Sequence, residues 1–356
     1  MRHPVRVGVL SGLLAVTVLS SAGWAQDTAP PRVRLVATGG TISNASGGRL
    51  TADELIDLIP DLSRYVQPEF EQFANVASSS ITLEQWLLLA RRINELFDTD
   101  PGLAGVVVTS GTDTLEETAF FLHLTVTDPR PVVVVGSMRN PSTLGYEGAA
   151  NLLQAFRVAA DPASRGKGGL VVMNDEINSS REVTKTNSVR LQTFETRGYG
   201  MLGVVDRDRV LYYRETLKRH TADSEFDVSA IDALPRVDIL MVYQGASGDL
   251  IEAAVEAGAQ GIVIAVAGAG ATSGTQRRGI SAALEAGVFV VSATRTGSGR
   301  IAARTGGGRG RGGNNPAANY RIAAEDLTPL KARILLMLAL ATTDDAAEIQ
   351  RMFTEY

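Results

Sequence analysis

From Pro31 onward the chain alternates short apolar runs with longer stretches whose apolar positions recur at helical spacing. Residues 33–38, 105–109, 131–136 and 169–173 are rich in β-branched side chains and almost continuously apolar. Strands covered on both faces read this way, whereas half-solvated strands alternate. Helix start signals lie between them. Thr51-Ala-Asp-Glu54 and Thr82-Leu-Glu-Gln85 are capping boxes, in which a threonine and an acid or amide three residues on satisfy each other's backbone N–H groups. The second predicts a helix to about Phe97, and Thr114-Leu-Glu-Glu117 predicts another to about Val126. Residues 147–160 read as a fourth. Strand–helix–strand order of this kind predicts a doubly wound, mainly parallel sheet.

A second unit opens near Val237. Residues 237–243, 261–266 and 288–292 are strand candidates, with helices at 250–257 and 279–285 between them. Thr328 caps a last helix, Pro329 takes its first position, and residues 331–341 continue it. The fold class expected is therefore α/β: a larger N-terminal doubly wound domain (32–216), a polar linker (217–236) and a smaller C-terminal α/β domain (237–356). Residues 306–315 are low-complexity, with Arg309 and Arg311 among glycines, and read as a surface loop.

Composition narrows the chemistry. The chain has 356 residues and no cysteine, which removes disulfides, thiol nucleophiles and thiolate metal sites. Its histidines are only His3, His123 and His220, too scattered for a histidine-built metal centre. A metal site built from thiolates or histidines is therefore not expected. The formal net charge of −5 argues against a general nucleic-acid or anionic-membrane partner. The first 25 residues resemble a secretory signal: Arg2 and Arg6, then an uncharged apolar run over 7–20, then Gly23-Trp24-Ala25. Cleavage before Gln26 would make the mature net charge −7 and a periplasmic or secreted location is expected, with no membrane segment afterwards.

Three segments carry candidate chemistry. Ala37-Thr38-Gly39-Gly40-Thr41-Ile42-Ser43 follows a buried strand, where open α/β sheets bind ligands. Its glycines let backbone N–H groups approach an oxyanion, and Thr41 becomes a nucleophile if something takes its proton. Thr109-Ser110-Gly111-Thr112-Asp113-Thr114 follows another buried strand and leads into a helix, where the dipole and free N–H groups favour negative charge. Arg181-Glu182-Val183-Thr184-Lys185-Thr186-Asn187 holds a lone lysine among threonines, a candidate base. Taken singly, each reads equally well as a tight turn, a helix cap and a solvated loop lysine. The nucleophile-elbow, phosphate-loop and dinucleotide patterns are absent.

In this order and spacing the three segments resemble the bacterial-type L-asparaginase and glutaminase-asparaginase family, particularly its secreted type II branch. Pro131-Val-Val-Val-Val-Gly-Ser-Met-Arg139, Val171-Val-Met-Asn-Asp175, Phe226-Asp-Val-Ser229 and Lys331-Ala-Arg333 agree, from about Arg34 to the C-terminal helix. The resemblance implies hydrolysis of asparagine to aspartate and ammonia through an ester on Thr41, with Thr112, Asp113 and Lys185 as a second catalytic group. It implies substrate contacts at Ser78, Ser79, Thr112, Asp113, Gly40 and Gly111, a homotetramer built as a dimer of dimers, and no metal or organic cofactor. Turnover of glutamine or another small amide, and an amino-acid-binding protein on the same scaffold, are the alternatives.

The chain departs from the type II pattern at several places. The stretch 43–63 carries no lid tyrosine, and Tyr65 is the nearest. Ser79 and Ser110 replace a glutamine and a histidine, Ala269 and Ala271 replace asparagines, and no acid lies between Gly287 and Ala324. Residues 140–148 bring Tyr146 and Glu147 where the family usually ends a loop in Ala-Asp-Gly, and Tyr146 is a candidate stand-in for the lid tyrosine.

Overall fold

The computed structural model describes Met1, residues 29–303 and residues 320–356. The leader read over 1–25, apart from Met1, and the glycine-rich stretch 306–315 lie outside the described residues. The first unit is an eight-stranded sheet in the order 210–212, 203–205, 176–179, 169–173, 132–135, 103–109, 32–39, 67–76. The last five strands of that order run parallel. The other three attach antiparallel. Four parallel strands in a second sheet, Val237–Met241, Gly261–Val266, Phe289–Thr294 and Arg321–Ala323, make the smaller unit. The α/β class, the larger mainly parallel sheet and the separate smaller one are as the sequence predicts.

Alternate residues of the central strands face opposite ways, and each set is buried. Val36, Val106, Val108, Val132 and Val134 pack with the helices Leu83–Thr99 and Leu115–Thr125. Val33, Leu35, Val107, Val133 and Val135 pack with Leu55 and Leu152, from the helices Ala52–Asp57 and Gly148–Ala160. Two covered faces explain why these strands are apolar throughout. The helix Pro329–Thr342 brings Leu335, Leu336 and Met337 into the first of these cores, so the two sheets share it.

The order of strand use matters most for the site. From 32–39 the chain goes to 67–76 on one side, then crosses to 103–109 on the other and continues outward to 132–135 and 169–173. Ligand crevices of open α/β sheets form at such a reversal, beyond the carboxyl ends of the strands. Strands 32–39 and 103–109 flank it, and Thr41 and Thr112 stand just past their ends.

Several local expectations need correction. Thr114 precedes the helix Leu115–Thr125, but its φ of −129° and ψ of 18° are not those of an extended cap, and its side chain makes no capping bond. The helix read at 279–285 begins at Gln276. The strand Gln67–Val76, the strand Arg321–Ala323 and the helix Ala346–Glu355 were not expected. The stretch 217–236 keeps its place between the two units and is held to the first of them, with Phe226, Val228 and Ile231 buried and Arg91 donating to the carbonyl oxygens of Val228 and Ile231.

Arg181 joins the two units. It is buried, donates to both Asp326 oxygens at 2.8 and 2.7 Å, and donates to Tyr356 O at 2.7 Å. Burial alone would raise the Asp326 carboxyl, but the Arg181 hydrogen bonds and charge outweigh it and hold the group well below the usual carboxylate range. A group shifted down stabilises fully above its unfolded pKa of about 3.9, and that contribution fades as pH falls towards the lowered value. Arg181→Met is expected to cost about 3–5 kcal/mol at pH 7, the usual penalty for orphaning a buried partner. Thermal unfolding of the variant and wild type between pH 7 and pH 3 checks this, with the gap narrowing on acidification.

Candidate active site

The strand Arg32–Gly39 ends at Gly39 and is followed by Gly40, with φ of 103° and 95°, a region that L side chains avoid. Space forbids a side chain there as well. A Cβ at Gly39 would lie 2.5 Å from Val76 N, and one at Gly40 would lie 2.3 Å from Gly111 N. The 39–40 turn therefore abuts both Val76 and the 111 turn. Gly40 N donates to Val76 O at 2.9 Å, and Thr41 then opens the short 3-10 turn Thr41–Ser43. Thr41 is half-buried, and among the described residues its hydroxyl has no hydrogen-bond partner.

Gly111 is the meeting point. A Cβ placed on it would lie 2.7 Å from Ser78 Oγ and 3.2 Å from Gly40 Cα. Ser78 is buried at the start of the 3-10 turn Ser78–Ser80 that follows the edge strand. Ser79 beside it is exposed, and its side chain has no hydrogen bond among the described residues. Three neighbouring strand ends thus deliver Thr41, Ser78 and Thr112 to one place.

Lys185 ends the strand Val183–Lys185, far away in sequence. Its Nζ donates to Thr112 Oγ1 at 3.0 Å and to Asp113 Oδ1 at 2.9 Å. The three partners differ in wetness: Thr112 is buried, the Lys185 side chain is 16% exposed and that of Asp113 79%. A short, shielded lysine–threonine contact with an open carboxylate beside it can pass a proton along the hydroxyl and also grip a charged substrate end.

Glu116 and Lys331 support this group, and the sequence reading missed both. Glu116 is buried in the first turn of its helix, and its Oε1 accepts from Lys185 N and Thr184 Oγ1, both at 3.1 Å. Lys331, from the C-terminal unit, is fully buried and donates to the carbonyl oxygens of Val183, on the same strand, and of Arg181, in the turn before it. Burial pushes its ammonium down to about 8. The signal for Glu116 was its place in a helix with almost no exposed side, where a carboxylate needs partners.

The expected lid stand-ins fall differently. Tyr65 follows the 3-10 turn Leu62–Arg64, is partly exposed and lies under the Arg157 guanidinium, 5.4 Å from its ring centre. Tyr146 does reach the nucleophile turn, but its hydroxyl donates to Ile42 O at 2.9 Å rather than to Thr41. Arg49 Nη1 donates to Gly40 O at 3.0 Å on the other side of Thr41.

Comparison with known proteins agrees with this architecture. Residues 32–218 match the family model "Asparaginase, N-terminal", and residues 236–353 match "Glutaminase/Asparaginase C-terminal domain". L-asparaginase 2 of Bacillus subtilis is 41% identical, over 95% of this chain and 90% of its own length. The glutaminase-asparaginase of Pseudomonas fluorescens biotype A is 37% identical, over 98% and 97%. A crystal structure of a protein titled "Probable Cytoplasmic L-asparaginase", from Campylobacter jejuni, superposes with a TM-score of 0.84 at 38% identity, covering 92% of this chain and all of that one. Matched along nearly its whole length by both family models, the chain belongs to the asparaginase family.

Proposed function

We infer that this protein is an asparaginase, hydrolysing asparagine to aspartate and ammonia through an ester on a threonine. The observation that carries the reading is the Lys185 Nζ contact with Thr112 Oγ1 at 3.0 Å and Asp113 at 2.9 Å, next to a glycine turn that presents Thr41. Thr41 Oγ1 attacks the side-chain amide carbon, and as the C–O bond forms its O–H bond breaks and the proton passes towards the amide nitrogen. The carbonyl electron pair moves to oxygen, where Thr112 and backbone N–H groups of the glycine turns stabilise it. The C–N bond then breaks, nitrogen takes a proton and ammonia leaves a β-aspartyl ester. Water then adds to the ester carbon, the bond from that carbon to Thr41 Oγ1 breaks, aspartate leaves and Thr41 takes up the proton that the water gives. Lys185 moves protons through Thr112, and Asp113 and Ser78 hold the substrate's charged end. Ser79 faces solvent and is assigned the outer edge of that grip.

Ammonia release over asparagine, glutamine, succinamic acid and D-asparagine tests the reading. Release from asparagine supports it. Release from none, with saturable asparagine binding, would make the protein a binder instead. Because Glu116 fixes Lys185 through its backbone, Glu116→Ala is expected to lower kcat by about 10–100-fold, the cost of a displaced catalytic group. Glu116→Gln keeps an accepting oxygen and should recover most of that loss in the same steady-state assay.

We also propose that residues 32–216 bear the catalytic groups and that 237–356 form a second domain joined through 217–236. The leader-like start supports export to the periplasm or medium, and N-terminal sequencing of protein from that fraction tests it, with Gln26 first. A homotetramer is proposed from the family resemblance, and light scattering at about four times the chain mass would support it.

A further inference from the structure

We propose that Tyr146 is a positioning residue, whose hydroxyl bond to Ile42 O fixes the turn that aims Thr41. The proposal rests on Thr41 being the nucleophile. With no side-chain partner among the described residues, the Thr41 hydroxyl takes its direction from the backbone around it. Upstream, Gly40 O accepts from Ser43 N at 3.3 Å, Ser43 Oγ at 3.1 Å and Arg49 Nη1 at 3.0 Å. Downstream, Ile42 O accepts from Tyr146 at 2.9 Å. Tyr146 thus supplies the partner of the carbonyl oxygen of the Ile42–Ser43 peptide group, whose N–H is the Ser43 donor to Gly40 O, so the group that closes the turn after Thr41 is pinned at both ends.

The loop carrying Tyr146 is built to stay put. The Glu147 carboxylate accepts from Met138 N and Arg139 N, Arg139 Nη1 donates to Gly145 O at 2.9 Å, and Asn140 Oδ1 accepts from Ser142 N at 3.0 Å. A second tie runs to the nucleophile loop, from Ser46 N to Ser142 Oγ at 2.8 Å. The Tyr146 ring packs against the core that contains Ile42. Residue 148 leaves the ring no alternative neighbour: a Cβ on Gly148 would lie 2.3 Å from the Tyr146 hydroxyl oxygen and Cε2. Any side chain there must push the ring off Ile42 O. Burial raises the phenol above its ordinary range, so it remains a donor and is unsuited to act as the base for Thr41.

Steady-state kinetics on asparagine with full-length Tyr146→Phe tests this. The expected result is a kcat lower by about tenfold with KM within about twofold, since aim is lost and substrate contacts remain. The thermal midpoint should stay close to wild type. Gly148→Ala should show the same split, and adding it to Tyr146→Ala should cost nothing further, because no ring is left to displace. A Tyr146→Phe kcat equal to wild type would overturn the proposal, as would a loss confined to KM. Thr41→Ala run alongside separates the two claims. If Thr41→Ala is dead while Tyr146→Phe is fully active, only the positioning role fails. If Thr41→Ala retains turnover, the nucleophile assignment fails first.

Discussion

Thr41→Ala will fold like the wild type and form no ester with substrate. The loss in kcat is expected to be on the order of 10⁴–10⁶-fold, as when a nucleophile is deleted from a set of groups that act together. The fold should hardly notice, because the Thr41 hydroxyl has no hydrogen-bond partner among the described residues and the turn is set by Gly39 and Gly40. Removing an unpaired, half-buried hydroxyl usually changes stability by less than about 1 kcal/mol. Single-turnover trapping of the ester, beside thermal unfolding, distinguishes the outcomes. An ester that still forms would move the nucleophile elsewhere. A midpoint many degrees lower would mean that the turn depends on Thr41 in a way these hydrogen bonds do not explain.

Lys185→Met should be the second largest loss. Methionine keeps the length and the apolar stem but removes the donor that faces Thr112 at 3.0 Å and Asp113 at 2.9 Å. Losing a placed proton-transfer group costs about 10²–10⁴-fold in rate. KM for asparagine should change far less, since Ser78 and the glycine turns remain. Stability should move little: Asp113 is mostly exposed, and ion pairs with a solvated partner contribute about 0–1 kcal/mol. Unchanged turnover would retire Lys185 as a proton carrier. A loss in KM alone would make it a binding residue.

The sequence was most informative where burial is two-sided. Strands 103–109, 132–135 and 169–173 carry unbroken apolar runs because helices cover both faces, and no other environment suits them. The capping boxes at Thr51 and Thr82 worked because both partners of each box lie within one turn. The strand 67–76 stayed hidden for the opposite reason. It is an edge strand that holds Pro68 and turns Glu69 and Glu71 towards Arg34 and Arg92, so it lacks the apolar signature. The helix start read at Thr114 also held, the helix running Leu115–Thr125, although the backbone at 114 is not extended and its side chain makes no capping bond.

The amino-acid sequence by itself determined the α/β class, the two sheet-forming units and the residue types of the site: glycines before two threonines, a lysine among threonines. Those are local facts, fixed by burial and by which residues tolerate a positive φ. Tertiary structure alone decided which of them meet. Lys185 reaches Thr112 across 73 residues of sequence because Glu116 holds its backbone N–H and Lys331 holds the carbonyl oxygens of Arg181 and Val183 just before it. Tyr146 meets Ile42 across 104 because the sheet order sets the strands 132–135 and 32–39 on either side of 103–109. Such pairings depend on sheet order and strand register, which the spacing of residues along a chain does not encode.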